Sequence, residues 1–504
     1  MKSISPLIAL LTLVSFAAAQ DSWPQFRAGG SSHAGGPLPL NWSPQAGIAW
    51  QRELEGYGQS TPIIHGQRIY VTSTAGPNKE TCVVSCIDIN TGDQLWRYRF
   101  PAAATAPSSY MMARAAPTPV VDDLGVYLFF ESGDVAAIDP TGALRWRRDL
   151  VTDFGPFENN HGVGASPAQT EQCVILNIEH RGPSYLIAID KQTGETRWKR
   201  DRPSSNSWSS PIAIHGQIIL SSNGAVSAYD ADSGDSLWTV GELDGNTVAS
   251  PTPDGDRLYV GARVSEFSGG GDAQRSNLCI QCNNDSPQIV WRAEKAVSDY
   301  ASPVVCGECV YYLNNVGVVY CLDKMTGRQH YAKRIGTDCW ATPIVSQDRI
   351  YFLGKNGQTI VLKAGPQFEQ LAANLLWDLQ SPPPPETYVE NVSSAKSSRG
   401  FESLLETGDA DGDGFLTIDE VSGRFRSMFP SSDSNQDGRL DAGELQAAAK
   451  LMAARRSDSQ NNARDPIVYG AAAIPGRIVI RTGTRLYCIS PQSSPALVEE
   501  PVRK

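Results

Sequence analysis

One phrase recurs along this 504-residue chain and restricts what it can fold into: a small residue, any residue, Asp, two turn residues, Thr or Ser, Gly, and an aromatic four positions later. It reads Cys86-Ile87-Asp88-Ile89-Asn90-Thr91-Gly92 with Trp96, Ala188-Ile189-Asp190-Lys191-Gln192-Thr193-Gly194 with Trp198, and Ala228-Tyr229-Asp230-Ala231-Asp232-Ser233-Gly234 with Trp238. Cys321 to Gly327 repeats it with Tyr331, and Ala137 to Gly142 gives a shortened copy with Trp146. A second phrase precedes the copies: Thr61-Pro62, Thr118-Pro119, Ser166-Pro167, Ser210-Pro211, Ser250-Pro251, Ser302-Pro303 and Thr342-Pro343. After each comes an apolar strand, a Gly, Asp or Asn turn and another β-rich strand, as in Ile63 to Tyr70.

The unit is therefore four strands joined by tight turns, recurring every ~40 to 55 residues, the period of a propeller blade. Asp caps the turn's backbone N–H groups, Gly takes positive φ, and the aromatic is placed on the outer strand to pack against the next blade. Such aromatics are Trp96, Trp146, Trp198, Trp238, Trp291, Tyr331 and Trp377. An eighth unit, Ile478 to Ile489, lacks its last strand, which Ile48-Ala49-Trp50-Gln51-Arg52 can supply. The predicted fold is all-β: an eight-bladed β-propeller of four-stranded blades, its ring closed by an N-terminal strand so that no edge is left open.

At this level the chain resembles the pyrroloquinoline-quinone (PQQ)-like β-propeller repeat family, over nearly all of its length outside residues 380–466. Residues 188 to 198 meet that family's phrase Ala-x-Asp-x-x-Thr-Gly-x-x-x-Trp in full, and Trp23-Pro24-Gln25-Phe26-Arg27 is similar to the start of its secreted bacterial members. The Gly-His and Trp-Asp signatures of WD-repeat propellers do not recur from unit to unit. The resemblance implies one of two functions. Quinoprotein dehydrogenases of the family stack PQQ between a Trp and a disulfide of adjacent cysteines, coordinate Ca²⁺ and use an Asp base; this chain has no adjacent cysteine pair. The other branch consists of non-enzymatic eight-bladed scaffolds, such as outer-membrane assembly lipoproteins, although no lipid-attachment Cys is present here. The expectation is a binding or scaffold protein with no assigned catalytic residue, for which PQQ is possible but not expected; the alternative is a quinoprotein-type oxidoreductase.

Residues 380–466 interrupt the repeats. They begin with Pro382-Pro383-Pro384-Pro385 and contain two twelve-residue segments with calcium-loop spacing, 409–420 and 433–444. Ca²⁺ takes six to eight oxygens. The first loop offers Asp409, Asp411, Asp413, the carbonyl of Phe415, Thr417 and Glu420; the second offers Asp433, Asn435, Asp437, the carbonyl of Arg439, Asp441 and Glu444. Gly412 and Gly438 make the sharp turn, and Leu416 and Leu440 can pair as a short strand. Apolar residues at helical spacing flank both loops, so an EF-hand pair holding calcium in a structural or tethering role is expected.

The first nineteen residues, with Lys2, an apolar run from Pro6 to Ala18 and Ala17-Ala18-Ala19, read as a signal peptide. The run is short of the ~20 residues of a membrane span. The expected layout is a leader (1–19), the closing strand and blades 1 to 7 (20–379), the insertion (380–466), a final blade (467–490) and a tail (491–504), secreted or periplasmic. A net charge of −11 argues against nucleic acid, leaving exported or cell-envelope proteins or a polysaccharide as partners. Ten cysteines suit an oxidising compartment. Cys306 and Cys309 flank a hairpin turn and could bridge it, or join Cys279 and Cys282 around zinc, but i and i+3 on a strand point to opposite faces.

Loops leading into the inner strands should converge on one mouth of the channel. They carry Tyr57, Arg114, Asn160, His161, Trp208, Asn246, Asp299, Tyr300, Asp338, Trp340 and Tyr469. These residues either hold a planar ligand, a sugar or a peptide side chain, or plug the channel and cap strands. His161 is the candidate general base, because His65 and His215 fall in hairpin turns.

Overall fold

The structure is a computed structural model describing residues 22–106, 113–159, 161–264, 273–282, 287–386, 408–409, 411–421, 429–430, 432–448 and 466–491. The leader, Asn160 and the flanks of the calcium-type loops lie outside these residues. Eight antiparallel sheets make up the described chain outside the insertion. The first contains Ile63–His65, Arg68–Ala75, Thr81–Asp88 and Gln94–Pro101, with Ser22–Trp23 added along its inner edge. The order repeats to the seventh, Ile344–Ser346, Arg349–Leu353, Gln358–Lys363 and Gln370–Leu375. The eighth takes Gly470–Ile474, Arg477–Arg481 and Arg485–Ile489 from one end of the chain and Ile48–Glu53 from the other. This is the eight-bladed propeller expected from the repeats.

Burial follows from the stacking of the blades. Middle strands are covered on both faces, so Gly125–Phe129 and Asp134–Ile138 are buried along their whole length, whereas the outer strand Gln94–Pro101 largely alternates. The cores lie between adjacent blades. One joins Ile63, Val84 and Cys86 of the first blade to Val126, Leu128 and Ile138 of the second.

Each part of the repeated phrase has a place in those contacts. The outer-strand aromatic stands opposite the small residue of its own blade: Trp50 and Cys488, Trp96 and Cys86, Trp146 and Ala137, Trp198 and Ala188, Trp238 and Ala228, Trp291 and Cys279, Tyr331 and Cys321. A one-residue slip in register sits beside every such pair, the kind of bulge that re-aims a side chain. At five contacts the indole then lies on the turn of the next blade. Its Nε1–H donates to the carbonyl following the turn Asp: Trp50 to Ile89 (3.0 Å), Trp96 to Pro140 (3.0 Å), Trp146 to Lys191 (2.9 Å), Trp198 to Ala231 (3.0 Å) and Trp291 to Lys324 (3.1 Å). The turn Gly must lack a side chain. A Cβ on Gly194 would fall 2.8 Å from Trp146, and one on Gly234 2.5 Å from Trp198, at φ of +77° and +70°.

Three contacts depart from this pattern, each where the accepting turn is missing. The fifth blade has no Asp-x-x-Thr-Gly turn, and Trp238 donates to Gln217 Oε1 of its own blade instead (3.2 Å). Tyr331 meets Phe368 edge to face at 5.6 Å. Trp377 corrects the sequence reading: it lies beyond the strand Gln370–Leu375, and the register puts Ala372, opposite Val361, at the docking position. Trp377 covers Gly357 and reaches Tyr487 of the eighth blade, 5.9 Å between ring centroids.

The Ser/Thr-Pro phrase forms a second lock nearer the axis. The backbone N–H of Thr61 donates to Thr118 Oγ1 (3.0 Å), Thr118 to Ser166 Oγ (3.0 Å), Ser166 to Ser210 Oγ (2.9 Å), Ser210 to Ser250 Oγ (2.9 Å), Ser250 to Ser302 Oγ (2.9 Å) and Ser302 to Thr342 Oγ1 (3.0 Å). One hydroxyl per blade thus satisfies a buried amide of its neighbour. The eighth blade has Gly470 at the equivalent place, where a Cβ would strike Thr61 at 2.2 Å.

Two tests follow from these locks. Trp146→Phe replaces a partly exposed indole by a smaller phenyl ring, losing one hydrogen bond and some packing, for an expected cost of about 1–2 kcal/mol. Gly194→Ala adds positive-φ strain and a clash with Trp146, for about 2–4 kcal/mol. Urea unfolding should therefore rank the glycine variant as the less stable; the reverse order would mean that the indole bond dominates. The turn carboxyls give a pH signature. The Thr326 hydroxyl and amide hold Asp323 below the ordinary carboxyl value, and the Ser233 amide does the same for Asp230. Their contribution is present above the unfolded value of about 4 and is lost as pH falls through the lower folded value. The urea midpoint should drop below about pH 4, and Asp323→Asn should flatten that drop.

Candidate functional site

Two sets of loops reach the same end of the channel: those leading into the inner strands, and the hairpins between second and third strands. Together they place a line of stacked side chains around part of the rim. The guanidinium of Arg114 lies 4.4 Å from the centre of the Tyr57 ring, and the hydroxyls of Tyr57 and Tyr469 are 2.7 Å apart. Tyr469 is followed by Trp340 at 6.3 Å and Tyr300 at 5.6 Å. Lys355 sits 4.0 Å over Trp340, and Arg263 5.1 Å over Tyr300. Burial lowers the Lys355 ammonium below its ordinary value, and Asp338 offsets part of that shift. The result is an aromatic ledge with cations stacked on it.

The other mouth residues divide. His161 and Trp208 pair separately, 5.9 Å apart, with the Trp208 indole donating to Gly162 O (2.9 Å). Asp299 accepts the Asn315 amide (2.9 Å), and buried Asn246 donates to Ser221 Oγ and Ala225 O and accepts from Gly224 N, which makes it a cap of the fourth blade. Exposed Asp338 faces Arg334 at 3.8 Å. Of the hairpin histidines, His65 ends its strand beside Asp123 (2.9 Å). Arg263 and Lys355 were missed in the sequence because only one of the two loop sets was considered. The Gly354-Lys355-Asn356-Gly357 hairpin was the available signal.

The N-terminal segment occupies the channel itself. Trp23 pairs with Ile64 of the first blade, and Pro24 O accepts Val121 N of the second (2.9 Å). Arg27, 3% exposed, donates to Ser250 O (3.2 Å) and Pro251 O (3.1 Å) of the fifth blade. Ser32 and Ala34 exchange backbone bonds with Val345 of the seventh, and His33 Nε2 lies 2.8 Å from Val305 O of the sixth. Pro37 O accepts Gly476 N at the inner hairpin of the eighth (2.8 Å). That hairpin ends a strand which starts at the mouth, so the segment fills the channel from the opposite end.

The insertion begins and ends at the mouth. Buried Glu386 bonds to Thr482 Oγ1 and lies 3.7 Å from Arg485, and a Cβ on Gly483 would meet both Glu386 and Tyr57. On the return, Val468 N donates to Lys355 O (3.0 Å) beside Tyr469. Within the insertion, Leu416–Thr417 pairs with Arg439–Leu440, Leu416 opposite Leu440. Leu416, Val421, Phe429, Leu440 and Leu445 form a small core. Asp409, Asp411 and Asp413 each bring a carboxylate oxygen within 4.8 Å of the others. Asp409 Oδ1 accepts Gly412 N (2.7 Å), and Asp433 Oδ2 accepts Gly438 N (2.9 Å). Glu420 Oε2 accepts Thr417 N (2.8 Å), and Glu444 Oε1 accepts Ser434 N (2.9 Å), so both carboxylates fold back into their own loops.

The cysteines do not converge on one metal. All ten are free thiols, Cys306 and Cys309 facing each other across their hairpin. Cys279 lies in the core beside Trp291, while Cys282 packs against the separate core of the fourth and fifth blades. Cys86, Cys279, Cys321 and Cys488 fill the small position opposite an outer-strand aromatic, a packing role that suits a buried thiol. Among the described residues, no helix is long and apolar enough to cross a membrane.

Known proteins share this architecture. A family model described as outer membrane protein assembly factor BamB matches residues 41–240, 182–277 and 275–435. The outer membrane protein assembly factor BamB of Alkalilimnicola ehrlichii is 23% identical over 205 residues, 40% of this chain and 48% of the relative. A quinohemoprotein alcohol dehydrogenase, ADH IIB of Pseudomonas putida, is 22% identical over 332 residues, 59% of this chain and 44% of the relative. The chain spans about half the length of the curated relatives it matches. Among solved structures, BamB from Moraxella catarrhalis superposes with a TM-score of 0.52 at 13% identity, covering 89% of this chain and 98% of that one. A europium-containing methanol dehydrogenase gives 0.50 at 11% identity, covering 71% and 86%. These structural likenesses share the propeller fold. With its family match running from residue 41 to residue 435, the chain belongs to the repeat family described as outer membrane protein assembly factor BamB.

Proposed function

We propose that this protein is an exported scaffold that binds a protein partner of the cell envelope on its mouth face. The partly exposed run Tyr469–Trp340–Tyr300–Arg263, backed by buried Tyr57 and Arg114, carries this reading. Tyr, Trp and Arg dominate the energetics of protein interfaces: the aromatic rings bury amphipathic area with little loss of side-chain entropy, and the guanidinium adds a planar fork of donors. The names of the BamB relatives, which refer to outer membrane protein assembly, point to the same class of partner. The quinoprotein alternative fits the residues less well. The sequence has no adjacent cysteine pair to stack a quinone, and the two buried carboxylates at the mouth are already engaged, Asp299 by the Asn315 amide and Glu386 by the Thr482 hydroxyl.

The insertion is proposed to bind two calcium ions in a structural or tethering role. Its donor set is that of a hard oxygen site: the Asp409, Asp411 and Asp413 carboxylates in one loop, the Asp433 and Asp437 carboxylates and the Asn435 amide in the other, the Phe415 and Arg439 carbonyls, and Glu420 and Glu444 as twelfth-position carboxylates. Thr417 and Asp441 complete the ninth positions. When bound, the ions supply only charge neutralisation and rigidity.

Three outcomes test these readings. A photo-crosslinking residue at Trp340 should capture an envelope protein, one at exposed Leu237 on an outer strand should not, and Tyr300→Ala with Arg263→Ala, both partly exposed, should abolish the capture. Equal capture at both positions would remove the mouth from the account. Incubation with PQQ and calcium should give neither stoichiometric quinone absorbance nor alcohol oxidation; turnover would replace the scaffold reading with the enzymatic one. Titration calorimetry should find two Ca²⁺ sites with Kd of order 10⁻⁴ to 10⁻³ M, both lost in Glu420→Ala plus Glu444→Ala. Retained binding in that double variant would refute the assigned ligand set.

A further inference from the structure

Between the N-terminal segment and the mouth lies a cavity of about 100 Å³, and two of the side chains that line it each carry a buried donor with no acceptor. One is the indole Nε1–H of Trp23, a side chain 2% exposed; the other is Nε–H of Arg27, 3% exposed. The remaining Arg27 donors are satisfied by neutral oxygens only: the carbonyls of Ser250, Pro251, Gly30 and Pro303 and the hydroxyl of Thr252. Burial lowers the guanidinium to about 9, with no carboxylate contributing to offset it. A buried cation without a counter-charge and two unpaired N–H groups in one chamber are costly unless something completes them.

The missing group must be an acceptor, carry negative charge and be small. Two donors match the two oxygens of a carboxylate, whereas a phosphate would leave further oxygens without partners. Phe26, Tyr300, Trp340 and Tyr469 also line the chamber and provide an apolar wall for a short carbon stem. Tyr300, Trp340 and Tyr469 are partly exposed and belong to the mouth ledge, which gives the route in.

We propose that this inner chamber binds a carboxylate group seated between Trp23 and Arg27, admitted past Tyr300, Trp340 and Tyr469. The carboxylate can be a free short-chain acid or an acidic side chain presented by a peptide. The inference stands whether or not a protein partner uses the mouth.

The test measures thermal stabilisation of the full chain at pH 7 and constant ionic strength, with sodium acetate or a blocked Ala-Asp-Ala peptide replacing sodium chloride. A saturable rise in Tm over chloride is expected. Trp23→Phe, which removes the indole N–H together with the fused five-membered ring, should weaken the apparent affinity about tenfold, and benzothienylalanine at position 23, which replaces only the N–H by sulfur, should weaken it equally. Arg27→Lys, which keeps the charge but removes Nε–H, should do the same and serves as the second readout. Acetate binding as tightly as the peptide identifies a free acid as the source. Tighter peptide binding, lost in Ala-Asn-Ala, identifies an acidic side chain. No rise over chloride, preference for inorganic phosphate, or an unchanged response in Trp23→Phe would overturn the proposal.

Discussion

The structure depends on closing a ring. Stacked four-stranded sheets cover each other's faces but leave the first and last sheets bare, and the two ends must meet to bury them. Pairing of Ile48–Glu53 with Arg485–Ile489 joins them within one blade. It also carries Trp50 to the turn of the first blade, where its indole reaches Ile89 O (3.0 Å) and its ring covers Gly92. The lock that holds neighbouring blades together elsewhere is thus reproduced at the seam by a residue from the opposite end of the chain.

Closure also makes the two ends of the channel unlike. The chain upstream of the closing strand passes through the channel and bonds to the inner strands of several blades. The far end is thereby filled with main chain. The mouth keeps its aromatic ledge, and the insertion leaves and returns beside Tyr57 and Tyr469. A ledge of stacked rings and cations is suited to contact with another macromolecule, and the chamber beneath it offers charge complementarity to an acid. The ledge comes from the blade loops, and the chamber exists because the N-terminal segment is threaded through the ring.

The sequence made the blades legible because each contact uses a local phrase: Asp and Gly for the turn, a small residue to leave room, and an aromatic to cover the neighbour. Blade number and closing strand followed from counting those phrases. Spacing misled at Trp377, where the seventh blade has no such turn and only the strand register shows that Ala372 holds the docking position. The Ser/Thr-Pro phrase was visible, but its hydroxyl chain was not, since each bond joins residues about 40 to 57 positions apart. Lys355, Arg263 and the buried donors of Trp23 and Arg27 depend on long-range packing that no local pattern encodes. The calcium-type loops are the opposite case: their proposed ligands are contiguous, so spacing alone singles them out.

Hydrogen exchange on Trp50→Ala, set against the unchanged chain at a urea concentration below the midpoint, tests ring closure most directly. If the seam holds the whole ring, protection should fall together in all blades, including Gln217–Ser222 of the fourth, far around the ring from the seam. Loss confined to Arg485–Ile489 and its partner strand, with the fourth blade still fully protected, would contradict the account.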